Sequence, residues 1–265
     1  MDNCAVLIVS WDTYWPCNEP MYKMMHYFWK ECDYPFYLCT KSACTEEKLY
    51  DRCIYAKREK GNWTGFLADY LSQIDEDYVF FLLVDHWPTA KIDDNAVRDA
   101  FNLLAQDNSI GVIYFRDSRG DFRKLSEYSN NNNYYEVPFG QAYRLCATPA
   151  VWRKSDLLKI CEKDVSAWSF ERELSYSEST KAFKVLVDKR SNAYLYMPAG
   201  AILKAKWVRE AVKYSEKYNL NVDFSTLPIL SRFETFMNAI KCKIFDINPG
   251  IIVWIQNNVF KGDGK

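Results

Sequence analysis

Glycine-rich phosphate loops are missing from this chain. Nine glycines are spread over 265 residues, and none builds a G-x-G-x-x-G turn, a Walker loop or a G-x-S-x-G elbow, which removes the usual nicotinamide, P-loop and α/β-hydrolase readings. Histidine is scarcer still. Only His26 and His86 occur, so a Ser-His-Asp or Cys-His engine has few bases to draw on, and His26, within an apolar helical stretch, reads as structural. A surplus of charge is also lacking. With 34 Lys and Arg against 35 Asp and Glu, the chain has no positive excess to set against phosphates, and no nucleic-acid partner is expected.

No run reaches the roughly 20 apolar residues of a membrane span. The opening Met-Asp-Asn-Cys has no basic n-region and no small-residue cleavage site, so a cytoplasmic protein is expected. Nine cysteines are present, but none shows C-x-x-C spacing; Cys32, Cys39, Cys44 and Cys53 do not pair as zinc ligands do, and all nine read as reduced thiols.

Aromatic residues are abundant at 17%, with 19 Tyr and 9 Trp. Most of them serve a core, with some left for stacking on flat or ring-shaped ligands. Apolar runs at 5–10, 35–39, 53–56, 79–84 and 110–115 read as strands, and stretches at 20–29, 64–74 and 95–105 carry helical spacing. The alternation predicts one α/β domain with a mostly parallel central sheet, a smaller antiparallel strand pair and helices on both faces. Residues 1–115 form its nucleotide-binding half, 134–220 an acceptor and catalytic half, and 221–265 a C-terminal helical extension. Residues 116–133 read as a polar loop, 134–146 as a strand pair, 151–161 as a helix, 182–187 and 193–196 as strands, and 203–218 as a long helix.

The 79–84 strand ends on Asp85, His86 and Trp87. In open α/β sheets ligands bind at such strand ends, and a carboxylate with a neutral imidazole can share a divalent ion. The alternative is an Asp that caps a turn beside a solvent-facing His. Asp12 closes the first strand in the same manner, and the polar-aromatic segment Trp168 to Glu171 reads as a further strand-end group.

These residues carry a resemblance. Val9 to Tyr14, the 20–29 stretch, Asp33 to Leu38, Trp63-Thr64, the strand ending at Asp85, Tyr143-Arg144-Leu145 with Ala150 to Arg153, Trp168 to Glu171 and Lys206-Trp207 follow one another as in a family of bacterial glycosyltransferases of the GT-A fold that serve polysaccharide and lipopolysaccharide assembly. The resemblance implies an inverting transfer of a sugar from a nucleotide-sugar donor to a saccharide or lipid-linked saccharide. It implies that Asp12 accepts hydrogen bonds from the base or ribose, that Trp11 and Trp63 flank the donor, and that Asp85 holds a Mn or Mg ion or sugar hydroxyls, with His86 as second ligand. Arg144 and Lys206 are candidates to neutralise the diphosphate, or else surface ion pairs. Glu171 is the candidate base, its alternative a helix-surface residue, with Glu173 in reserve.

The family carries paired carboxylates at the strand end where this chain has Asp85-His86, so any metal dependence is expected to be modest. A non-catalytic nucleotide- or glycan-binding protein on the same fold is the other functional reading. Nucleotidyl transfer is the rival chemistry, although residues 10–17 contain no glycine and no basic side chain. From Leu203 onward ten Lys and Arg face six Asp and Glu, and 248–260 is rich in Ile, Val and Trp, a composition suited either to a packed closing helix or to peripheral contact with an anionic inner membrane.

Overall fold

The computed structural model describes residues 3–115, 125–190, 193–197 and 199–247. Alternating strands and helices begin with β1 (Cys4–Val9), α1 (Asn18–Phe28), β2 (Phe36–Thr40), β3 (Arg52–Tyr55), α2 (Trp63–Leu71), β4 (Tyr78–Leu83), α3 (Asp94–Gln106) and β5 (Ile110–Tyr114). There follow β6 (Ser126–Glu127), β7 (Tyr134–Val137), β8 (Ala150–Arg153), α4 (Lys154–Cys161), α5 (Ala167–Arg172) and β9 (Lys184–Asp188). A two-stranded pair, β10 (Ile202–Leu203) and β11 (Lys206–Trp207), precedes α6 (Arg209–Tyr218) and α7 (Arg232–Ile247).

Nine strands make one sheet in the order β3-β2-β1-β4-β8-β5-β9-β7-β6. β8 and β7 run against the other seven. The alternation of side chains along β1 explains why helices cover both faces. Val6 and Ile8 point into a core shared with Met21 and Met25 of α1 and Phe101 of α3. Leu7 and Val9 point the other way, onto Phe66 and Leu67 of α2 and Phe170 of α5. Helix starts are set locally: Asp93 accepts the Ala96 N–H at 3.1 Å at the head of α3, and Ser166 accepts the Ser169 N–H at 3.1 Å at the head of α5.

Several expected elements differ. Residues 151–153, the first part of the helix expected over 151–161, belong to the strand β8 in the middle of the sheet, and the helix α4 starts only at Lys154. Val151 faces one core and Trp152 the other, and a short run apolar on both faces has no helical or strand period to distinguish it. The long helix expected over 203–218 starts at Arg209, because Lys204 and Ala205 both take left-handed backbone angles, φ 51° and 55°, and form the two-residue hairpin turn between β10 and β11. Residues 134–146 hold one strand, β7, whose partners are β6 and β9. Residues 193–196 make a single bridge, Pro88 to Tyr196, in place of a strand. Trp168 to Glu171 lie within α5 rather than at a strand end. Residues 116–124 of the polar loop and the 248–260 stretch lie outside the described residues.

Candidate active site

The sheet changes direction at β1. From β1 the chain steps outward to β2 and β3, then returns to place β4 on the other side of β1. The carboxyl ends of β1 and β4 are therefore the topological switch point at which sheets of this kind open a crevice. The two strands are in register at Val9 and Leu83, and the Val84 N–H bonds to the Val9 carbonyl at 3.0 Å. Ser10-Trp11-Asp12 and Asp85-His86 thus leave the sheet as neighbours. β2 joins them, since the Ser10 N–H bonds to the Cys39 carbonyl at 2.8 Å. Ser42, just beyond β2, donates to Asp12 Oδ1 at 3.4 Å, and Lys41 Nζ lies 4.0 Å from Asp12 Oδ2.

Asp85 sits in a turn closed by the His86 N–H on the Leu83 carbonyl, 3.0 Å, and is 7% exposed. Residues 199–202 wall it in. The Ala201 N–H bonds to the Asp85 carbonyl at 2.7 Å, and the Ile202 N–H donates to the carboxylate. Gly200, at φ +70°, makes the approach feasible, because a Cβ there would stand 2.2 Å from Asp85 Oδ2. Tyr14 and Cys17 lie close enough to feel its charge. Burial raises the Asp85 pKa from 3.8 to about 7, and among the described residues no cation pairs with it. A carboxyl group so placed is divided between its acid and base forms at neutral pH, which suits it to receive or return a proton. Burial, then the Asp85 charge, pushes the Tyr14 phenol up to about 12, so Tyr14 remains a hydrogen-bond donor.

Among the described residues no three His, Cys, Asp or Glu side chains converge, the Asp85 carboxylate faces the Gly200 backbone, and the His86 ring lies against Tyr196, centroids 4.5 Å apart. The expected sharing of a metal by Asp85 and His86 thus finds no third ligand among the described residues.

The α2 side of the same edge is aromatic. Trp11 meets Phe66 edge-on at 5.2 Å, and Trp63 meets Phe81 at 6.1 Å and Phe170 at 5.3 Å. Phe170 carries the next residue, Glu171, whose Oε1 accepts the Ala147 N–H at 2.9 Å. Burial raises the Glu171 pKa against the opposing pull of that bond and of Arg172. Glu173 is exposed and accepts the Ser169 hydroxyl of its own helix at 2.7 Å.

Two expected phosphate ligands have other employment. Arg144 is 3% exposed and donates to the carbonyls of Val137, Thr180 and Phe183, the last two at 2.8 Å; it ties the chain after β7 to the approach to β9, a role inside the fold rather than the diphosphate contact expected. Lys206 pairs with Glu234 at 2.6 Å. Among the described residues, Lys41 and Arg58 are cations near this edge, 5.5 Å and 5.7 Å from the Phe66 ring centroid. Arg58 also pairs with Asp164 at 3.2 Å and fills the space above Gly65. The position of Lys41 immediately after the β2 run was the available sequence signal; nothing local marked Arg58, Tyr14 or Gly200.

No protein-family profile matches the sequence, and no curated protein matches it. Solved structures do match in shape. A nucleotidyl transferase from Methanothermobacter thermautotroptrophicus superposes with a TM-score of 0.50 at 8% identity, over 83% of this chain and 99% of the other. S. aureus TarS 1-349 in complex with UDP-GlcNAc gives 0.48 at 15% identity, over 83% of this chain and 67% of the other. The mannosyltransferase PcManGT from Pyrobaculum calidifontis, in complex with GDP-Man and Mn2+, gives 0.44 at 12% identity, over 71% and 56%. In another TarS 1-349 structure the chain spans 59% of that protein. The fold is the α/β fold of the nucleotidyl transferase, a mixed, mostly parallel nine-stranded sheet with a small antiparallel pair.

Proposed function

We propose that this protein is a glycosyltransferase that moves a sugar from a nucleotide-sugar donor to a saccharide or lipid-linked saccharide acceptor in surface polysaccharide assembly. The observation that carries the reading is the enclosure of Asp85 at the switch point, the edge at which the segment bearing Asp12 also leaves the sheet, with Lys41 4.0 Å from Asp12. In this reading Trp11 stacks on the base, Asp12 accepts from the ribose, and Lys41, assisted by Arg58, meets the negative charge that grows on the departing diphosphate. Asp85 holds sugar hydroxyls. Glu171 takes the proton of the acceptor hydroxyl as that oxygen attacks the anomeric carbon, an inverting displacement that breaks the bond to the diphosphate oxygen.

Nucleotidyl transfer shares the sheet, but it would need to grip a nucleoside triphosphate with the turn after β1, and residues 10–17 supply neither a glycine nor a basic side chain for that purpose. Titration calorimetry with nucleoside diphosphates, nucleotide sugars and triphosphates, followed by mass spectrometry of products with oligosaccharide acceptors, tests the proposal. Diphosphate and nucleotide-sugar binding with a glycosylated product supports it. Consumption of a triphosphate with a sugar phosphate reassigns the chemistry, and binding without product favours a non-catalytic carrier of the fold.

A further inference from the structure

Among the described residues, helix α7 is held to the rest of the fold at its first turn. Its start is well specified: Ser231 accepts the Glu234 N–H at 3.2 Å while Glu234 Oε2 accepts the Ser231 N–H at 2.8 Å, a reciprocal capping box. The same end is tethered through the Lys206–Glu234 ion pair and through the Leu230 N–H on the Trp207 carbonyl, 2.9 Å. Beyond that turn, no described side chain of α7 joins either core. Sixteen residues of helix are about 24 Å long, and in folded proteins most of a helix's stability comes from packing its apolar face against another surface.

The uncovered face is apolar. Phe233, Phe236, Met237 and Ile240 follow at i, i+3, i+4 and i+7, and are 71%, 61%, 37% and 36% exposed. Arg232 and Lys243, both exposed, sit four residues before and seven after Phe236, so one edge of the stripe is basic. We infer that α7 is a docking element that lays this stripe into the surface of an anionic lipid bilayer. None of the reasoning depends on the transferase assignment.

Area and charge favour a bilayer over a second copy of the chain. With about 200 Å² per Phe side chain, the four residues present about 400 Å², and two such faces about 800 Å², below the roughly 1,200 Å² of a stable protein interface. A like-charged basic edge also opposes self-pairing, whereas anionic headgroups attract it. The sequence beyond α7 continues the character with Ile251, Ile252, Val253, Trp254, Ile255 and Phe260, then Lys261 and Lys265. No described helix is long and apolar enough to cross a membrane, so the contact is one that lies in the interface plane.

Co-sedimentation of the full chain with phosphatidylcholine vesicles, with and without phosphatidylglycerol, tests the inference. The protein is expected to pellet with the anionic vesicles, Phe233→Glu with Phe236→Glu to weaken that binding by at least about tenfold, and Arg232→Gln with Lys243→Gln by about fivefold per charge at low salt. Because these side chains touch neither core, the melting temperature of both variants should match that of the parent, which separates lost docking from lost folding. The inference falls if the parent stays in the supernatant with every vesicle, if it binds neutral vesicles equally well, or if sedimentation velocity shows a dimer that the Phe→Glu changes abolish while vesicle binding is absent.

Discussion

Replacement of Asp85 by Asn should make the protein more stable and less active, with the gain appearing only as pH rises. A carboxyl group whose pKa climbs from 3.8 in the unfolded chain to about 7 in the fold binds its proton more tightly when folded. Between those values the native state holds more protons than the unfolded state, so unfolding free energy declines from about pH 4 to about pH 7 and then levels off. At 1.36 kcal/mol per pH unit, the rise from 3.8 to about 7 amounts to about 4 kcal/mol of ionisation penalty above pH 7. Asn has the same shape, carries no charge, and keeps an oxygen to accept the Ile202 N–H. Urea denaturation at pH 4.5 and pH 8 should therefore find little difference between the variant and its parent at the acid end, and a gain for the variant of up to about 4 kcal/mol at the alkaline end, roughly 10 °C in Tm for a domain of this size. Turnover should fall at both. A variant that is less stable at pH 8, or whose stability difference does not change with pH, would refute the account of Asp85 as an uncompensated buried acid.

Glu171→Gln should lower transfer by at least about a hundredfold, the lower bound for loss of a general base, while donor affinity measured by calorimetry stays nearly unchanged; near-normal turnover would make Glu171 a structural residue. Arg144→Met leaves the buried Thr180 and Phe183 carbonyls without their donors, and should destabilise by about 3 kcal/mol in urea with an unaltered nucleotide affinity per folded molecule. Lys41→Met should show the reverse, weaker diphosphate binding at unchanged stability, because its ammonium group is partly exposed beside Asp12; equal loss of stability in the two variants would contradict the distinction. Gly200→Ala, which needs both a left-handed Ala and room already taken by Asp85 Oδ2, should cost at least about 1–2 kcal/mol from the backbone alone, read in the same denaturation assay.

The alternating elements of the first 115 residues were legible because each strand is a short apolar run and each helix has one apolar face, as with Met21, Met24 and Met25 on α1 and Phe66, Leu67, Tyr70 and Leu71 on α2. That local pattern also placed Asp12 and Asp85 just beyond strand ends, at one edge of the sheet. The order of the strands was not local. Whether β4 returns beside β1, and whether 150–153 inserts between β4 and β5, depends on which surfaces can be buried together, and β8 is apolar on both faces precisely where no single period would show it. Arg144 illustrates the same limit: an Arg in a polar-aromatic stretch reads equally as an anion ligand or as a clamp on carbonyls, and only the approach of Thr180 and Phe183 decides between them.

What the amino-acid order determined by itself was the alternation of strand and helix, the chemistry available at the strand ends, and the absence of glycine-rich phosphate loops. What the tertiary structure decided was the state of that chemistry. Asp85 becomes an acid poised near neutrality because folding buries it, with Gly200 packed against its carboxylate, and the opposing Ile202 N–H bond does not make up for the lost water; proton affinity follows the dielectric surroundings of a group, and those are a property of the packed chain rather than of its local order.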